Sequence, residues 1–299
     1  MKTLIIALGG NALIQKGQEG NVSEQFNNLE IPLSKVAKLY GKYNLVITHG
    51  NGPQVGNLLL QQQATSEVPE MPLEVLVAMT QGQIGYMIEK TLDNELMKIG
   101  IMHPLLSTLS TYVQVDANDP AFKNPTKPIG PAYKNKKPGF VKTAKGWRKV
   151  VASPKPIRIV GSYKIKELLK AGFLVVTCGG GGIPVIKREE HNYHGIEAVI
   201  DKDLASAKLG EEIGADILLI VTDTKGAYLN FGKPNQKLLD KLTVKEAKKH
   251  MDSFPAGSMG PKIQAAINFI ESGGERAIIC HLSDIEKALG GKAGTQITK

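Results

Sequence analysis

The chain has 299 residues, 42% of them hydrophobic, with 37 Lys and Arg against 28 Asp and Glu and a mean hydropathy of −0.12. That length predicts about two domains or lobes with ample apolar material for a core, and no run approaches the ~20 consecutive apolar residues of a membrane span. The net charge of +9 is almost all lysine, dispersed without a dense block, which favours an anionic small substrate over nucleic acid, for which no recognition signature stands out.

Leu4 to Leu8 form an apolar run that stops at Gly9-Gly10-Asn11. It is too short for a signal peptide, so a cytoplasmic protein is expected. A continuous apolar run marks a central parallel strand covered on both faces, and ligands of such sheets collect outside the strands' carboxyl ends, where glycine lets backbone N–H groups approach an anion. Gly9 and Gly10 are therefore candidates, although a lone Gly-Gly reads more readily as a plain turn. Residues 23–41 have helical spacing, with Ser23 as N-cap and Pro32 weakening or kinking the middle. A second strand at 45–48 ends in His49-Gly50-Asn51-Gly52-Pro53, followed by helices over 55–63 and 73–98.

Residues 114–161 change texture, rich in Pro and Lys. Such a long insertion is commonly functional, and it reads as a small β-rich flap. A helix at 162–171 and a strand at 173–178 follow, the strand ending in Gly179-Gly180-Gly181-Gly182. Three glycine turns at strand ends are hard to explain as punctuation. A second lobe begins near Val199, with helices at 201–214, 244–251, 261–272 and 285–289 and strands at 217–221, 228–231, 276–280 and 295–298. The alternation predicts an α/β fold, a doubly wound, open, mostly parallel sheet in two lobes with a protruding flap. Cys178 and Cys280 end apolar runs and form neither a disulfide framework nor a zinc spacing.

The glycine turns suggest phosphate, yet no G-x-x-x-x-G-K-[ST] occurs. Lys202 and Lys262 stand at the starts of helices, where positive charge opposes the helix dipole by about 0.3–1 kcal/mol. A bound anion reverses that penalty; a lysine reaching into water is the plain alternative. Asp203 is by pattern a first-turn acid, and Lys127, between Pro125 and Pro128, a solvated flap lysine. His191 and His194 fall in what reads as a polar loop rather than a metal site.

Read together, ALGGNAL, VITHGNGPQVG, QGQIGYMI, NDPAFKNPTKPIGP, GWRKVVASPKP, CGGGGIPV, GIEAVIDKDLA, VTDTKGA, AGSMGPK and GTQI resemble the carbamate kinases of the amino acid kinase family over nearly the whole chain. The segment 134–150 is compressed against that pattern. The resemblance implies reversible phosphoryl transfer between carbamoyl phosphate and ADP, giving carbamate and ATP, with Mg²⁺ held mainly by phosphates and water. Residues 1–198, including the flap, would hold carbamate or carbamoyl phosphate through Gly9, Gly10, Asn11, Gly50, Asn51, Gly52 and Gly179, Gly180, Gly181 and Gly182. Residues 199–299 would hold the nucleotide, bordered by Thr222, Asp223, Tyr228, Met259 and Gly260. Lys127 would come down from the flap, Lys202 and Lys262 would contact the nucleotide phosphates and the transferred group, and Asp203 would organise the lysines. A homodimer is also implied.

Two other readings fit the residues less well. One is another small-acid or phosphate kinase of the same family, since glycine turns do not name the acceptor. The other is a dinucleotide-binding oxidoreductase or sensor, suggested by Gly50-x-Gly52-x-x-x-Gly56; the acids that would complete its fingerprint, Glu70 and Glu74, lie in a Pro-flanked turn.

Overall fold

The computed structural model describes residues 1–143, 146–188, 192–255 and 257–299. The chain opens with β1 (Thr3–Leu8), α1 (Val22–Ala37), β2 (Asn44–His49), α2 (Gly52–Gln62) and the long α3 (Leu73–Lys98). Short strands β3 (Leu106–Thr108) and β4 (Tyr112–Gln114) lead to the flap strands β5 (Lys127–Tyr133), β6 (Phe140–Thr143) and β7 (Gly146–Val151). The middle continues through β8 (Arg158–Val160), α4 (Ser162–Lys170), β9 (Leu174–Val176), β10 (Ile183–Lys187) and β11 (Tyr193–Gly195). Then come α5 (Lys202–Ile213), β12 (Ile217–Thr222), the hairpin β13 (Tyr228–Leu229) and β14 (Lys237–Leu238), β15 (Lys241–Thr243) and α6 (Val244–Lys249). The last elements are α7 (Met259–Glu271), β16 (Arg276–His281), α8 (Ile285–Leu289) and β17 (Thr295–Thr298).

Among the described residues one eight-stranded sheet runs in the order β15-β17-β16-β12-β1-β2-β9-β3. Its pairs are parallel except β16 with β17. The apolar run at 4–8 is explained by its position: Ile5 and Ala7 face one core with residues of α4, α5 and α7, while Leu4, Ile6 and Leu8 face another with α1, α3 and α8. A strand buried on both faces has no polar side to show. The halves before and after Val199 share this sheet, because β12 pairs with β1.

Two local readings change. The cap of α1 is Asn21, in a reciprocal capping box with Glu24, rather than Ser23, and Pro32 sits inside the helix without ending it. Pro32 lacks an N–H for the ladder, but Leu29, Leu33 and Val36 are fully buried around it. Helix α7 starts at Met259, so Pro261 is its third residue rather than its first. Proline costs no hydrogen bond there, since the first turn's N–H groups have no intrahelical partner.

Among the described residues the flap is a three-stranded antiparallel sheet in the order β5-β7-β6. Strands β4 and β8, at the edges of the predicted insertion, belong instead to a four-stranded sheet with β10 and β11. Ile129 pins the flap to the body, buried with Val55 and Leu59 of α2 and Leu76 of α3. Gly56 and Gly130 permit that approach, since a Cβ on Gly56 would stand 2.0 Å from the Gly130 nitrogen. His194 lies exposed in β11 rather than in a loop, and His191 lies outside the described residues.

Candidate active site

Because β12, β1, β2 and β9 are parallel neighbours, the segments after Thr222, Leu8, His49 and Val176 all emerge at one edge of the sheet. The Gly9 N–H donates to Val221 O and the Gly50 N–H to Leu8 O, both at 3.1 Å, so the turns begin side by side. Gly10 opens a short 3-10 turn through Ala12 that carries Asn11. A Cβ on Gly50 would lie 3.5 Å from both the Gly10 nitrogen and Lys202 Cδ, whereas a Cβ on Gly10 would meet nothing within 4 Å. The space above the end of β1 is therefore open, and Gly50 and Lys202 stand beside it.

The third turn folds down onto the second. Cys178 adopts a left-handed conformation with φ 50°, and Gly180, Gly181 and Gly182 follow with φ of 66°, 90° and 88°, which side chains disfavour. A Cβ on Gly180 would sit 2.2 Å from Asn51 Nδ2, and one on Gly179 2.4 Å from His49 Nε2. The Asn51 amide donates to Thr80 Oγ1 at 2.9 Å rather than capping α2, and Gln81 donates to Gly179 O at 3.0 Å. Helix α3 thus braces both glycine turns. Gly52 sits at the first position of α2, below Pro128 of the flap.

Opposite these turns lies a cluster of charge. Asp201 caps α5, its Oδ1 accepting from the Asp203 and Leu204 N–H groups at 2.9 and 3.3 Å. Its Oδ2 accepts from Lys127 Nζ at 2.5 Å. Lys202 donates to Asp203 Oδ1, and Lys262, reaching in from α7, donates to Asp203 Oδ2 at 2.8 Å. Lys202 is buried rather than extended into water. Its main chain is held as well, since Ser206 donates to Lys202 O and pairs with Thr48 of β2, both at 2.6 Å.

The cluster's protonation follows from these contacts. Burial alone would raise the Asp203 carboxyl, but Lys202 and Lys262 outweigh it and hold the group below the carboxylate range. Asp201 is likewise held well below it, chiefly by Lys127 against its burial. Burial lowers the Lys202 ammonium; Lys262 is also buried, yet Asp203 raises it. Three ammonium groups are bonded to two carboxylates, with Asp223 acting on Lys262 from further off, so N–H donors are left in excess. An anion satisfies that excess, and each ammonium has three donors with only one committed to a carboxylate here.

The structure brings Gly9, Gly10, Asn11, Gly50, Asn51, Gly52, Gly179 to Gly182, Lys127, Lys202, Asp203 and Lys262 to this edge of the sheet. Thr222 ends β12 beside β1 and donates to Asp223 at 3.2 Å; Asp223 is near enough to raise Lys262. Gly260 lies two residues before Lys262, its N–H bonded to Pro255 O at 2.9 Å, and Met259 packs on the core below α7. Tyr228 stands on the β13–β14 hairpin with its ring 5.5 Å from that of Phe231. Among the described residues no hydrogen bond joins it to the charged cluster. Sequence reasoning missed Asp201, Thr80, Gln81 and the Thr48–Ser206 pair. Asp201 was readable as a helix cap, but its partner lies 74 residues away.

The model of the amino acid kinase family matches residues 2–281. The chain belongs to the amino acid kinase family. It is 49% identical to a carbamate kinase of Thermococcus kodakarensis over the full length of both. It is 47% identical to one of Haemophilus influenzae over 99% of this chain and 96% of that one. A solved carbamate kinase of Giardia lamblia bound to AMP-PNP superposes with a TM-score of 0.90 at 42% identity, covering 100% of this chain and 98% of that one.

Proposed function

We infer that the chain is a carbamate kinase, transferring a phosphoryl group reversibly between carbamoyl phosphate and ADP. One observation carries the reading: Asp203 grips Lys202 and Lys262, and Lys202 lies against Gly50, itself beside Gly10. Carbamate kinases of two organisms, similar over 96% or more of both chains, support it. In the ATP-forming direction a β-phosphate oxygen of ADP bonds to phosphorus as the bond from phosphorus to the carbamate oxygen breaks. Carbamate departs with the electron pair as an anion, so no general base is required. Positioning and neutralisation of the transferred group do the work. Lys127, Lys202 and Lys262 supply the positive charge, and the N–H groups around Gly10, Asn51 and Gly180 cradle the carbamoyl end.

The nucleotide enters as its Mg²⁺ complex, the ion neutralising phosphate charge. Among the described residues no three His, Cys, Asp or Glu gather as ligands, and Asp201 and Asp203 are engaged by lysines, which fits an ion coordinated mainly by phosphates and water. Residues 1–198 then take carbamate and 199–299 the nucleotide, along Thr222, Asp223, Tyr228, Met259 and Gly260. The setting is the cytoplasm, and no described helix is long and apolar enough to cross a membrane. A homodimer completes the reading: Val75, Met79 and Tyr86 are exposed along one side of α3, and a second copy would cover them. A Met79→Glu, Tyr86→Glu variant that sediments like the unaltered protein would refute that pairing.

The deciding experiment is ATP formation from MgADP with carbamoyl phosphate, run beside acetyl phosphate. Activity with carbamoyl phosphate alone is expected. Activity with neither donor overturns the reading and calls for a screen of other acids with ATP. Lys127→Ala, Lys202→Ala and Lys262→Ala should each lower turnover by about 10²–10³, the scale for losing one donor to the reacting group. Unchanged turnover in Lys262→Ala would refute the phosphate clamp.

A further inference from the structure

We propose that Asp201 is a positioning residue that latches the flap lysine, Lys127, onto the helix bearing Lys202 and Asp203, so that flap closure and assembly of the cationic cluster become one event. Between Pro120 and Gly161 the sequence contains eleven Lys and Arg and no Asp or Glu. Any carboxylate that docks the flap electrostatically must therefore come from the body of the protein. Asp201 supplies it with one oxygen, Oδ2, at 2.5 Å from Lys127 Nζ. Its other oxygen is bound to the first backbone N–H groups of α5. Both ends of the link are rigid. Lys127 is the first residue of β5, paired with Val151 of β7, and two residues on Ile129 is buried against α2.

The link is also a matter of charge. Without Asp201 the Lys127 ammonium would approach the Lys202–Lys262–Asp203 group, itself in positive excess, and be repelled. With it, each of the three lysines commits one N–H to Asp201 or Asp203, the cap and the second residue of α5, leaving two N–H groups apiece for an anion. Asp201 touches no reacting atom in this scheme; it acts through Lys127. The inference rests on the kinase reading for its catalytic consequence, but not for the latch itself.

Asn caps helices as well as Asp does, so Asp201→Asn separates the two functions of this side chain. The variant should keep the α5 cap and the KM for ADP, and its melting temperature should fall no further than that of Lys127→Met, since the stability lost is that of the Lys127 pair. It should lose kcat/KM for carbamoyl phosphate by about tenfold or more, the worth of a charge-assisted hydrogen bond. In a Lys127→Met background the same change should cost nothing further. A full tenfold loss there, or an unaltered kcat/KM in the single variant, overturns the proposal. Amide exchange of residues 127–133 in the ligand-free protein tests the latch independently of activity. It should accelerate in Asp201→Asn, and unchanged protection overturns the latch even if the protein transfers no phosphoryl group.

Discussion

Lys262 of α7 donates to Asp203 Oδ2 of α5 at 2.8 Å, while Lys202 occupies the other oxygen of the same carboxylate. All three side chains are largely withdrawn from water. Removing the carboxylate strands two buried ammonium groups, and breaking such a pair from one side costs about 3–5 kcal/mol. Asp203→Ala should therefore unfold at markedly lower urea than the unaltered protein at pH 7. The pH dependence has a definite sign. A carboxylate held below its ordinary value of 3.8 contributes stability that is complete above that value and lost as pH falls through the folded one. Urea midpoints followed downward from pH 5 should fall more steeply for the unaltered protein than for Asp203→Ala. Parallel curves would show that Asp203 is not the group titrating.

Gly10 offers a cleaner separation of binding from folding. A Cβ there meets nothing within 4 Å, and its φ is not positive, so Gly10→Ala should leave the unfolding free energy within the roughly ±0.5 kcal/mol typical of innocuous changes. The methyl group would stand in the open space flanked by Gly50 and Lys202. KM for carbamoyl phosphate should rise by about tenfold or more, because a Cβ interferes with close approach of an anion to the backbone. A normal KM would place the substrate elsewhere.

The doubly wound sheet was legible because its central strands are apolar on both faces; Leu4 to Leu8 need no tertiary information to be read as buried. The glycine turns were legible for a related reason, since each interrupts such a strand at its carboxyl end. Lys202 and Lys262 were visible as charges in unfavourable places on helices. What the chain order concealed was pairing between distant segments. Asp203 reads as an ordinary first-turn acid until α7 is folded beside it, and Asp201 as an ordinary cap until the flap descends. Strands such as β3 and β4, of three residues each, carry too short a pattern to announce themselves, and their ladders exist only because β9 and β10 lie alongside.

The seating of the flap predicts the effect of one methyl group. A Cβ on Gly56 would meet the Gly130 nitrogen at 2.0 Å and its Cα at 2.1 Å. Those are backbone atoms that cannot turn aside. Gly56→Ala must lift β5 from α2 and draw Lys127 away from Asp201. A cost of about 1–3 kcal/mol is expected from overpacking, together with a fall in kcat larger than any change in nucleotide affinity. Limited proteolysis of the flap, set beside ATP-forming activity, checks both. A variant with an intact flap and normal kcat would mean that this contact is not the seat.

His49, at the end of β2, provides the last prediction. Burial lowers its pKa to about 4; the hydrogen bond to Gly50 O opposes the shift and nearby Lys202 adds to it. The imidazole is therefore neutral throughout the physiological range, packed against Gly179. An unfolded chain takes up the proton near the ordinary value of 6.5, so the unfolded state binds more protons between there and 4. Stability is complete above 6.5 and falls with pH through that window, by about 3 kcal/mol in all. His49→Gln, which does not titrate, should remove that part of the slope even if it is less stable at pH 7. Chemical unfolding at pH 7 and pH 4.5 on both proteins measures the difference. Equal losses in the two would show that His49 is not the group responsible. A buried imidazole that cannot take a proton also cannot serve as an acid at neutral pH. The rate of ATP formation should accordingly show no inflection between pH 6 and 8 that His49→Gln abolishes.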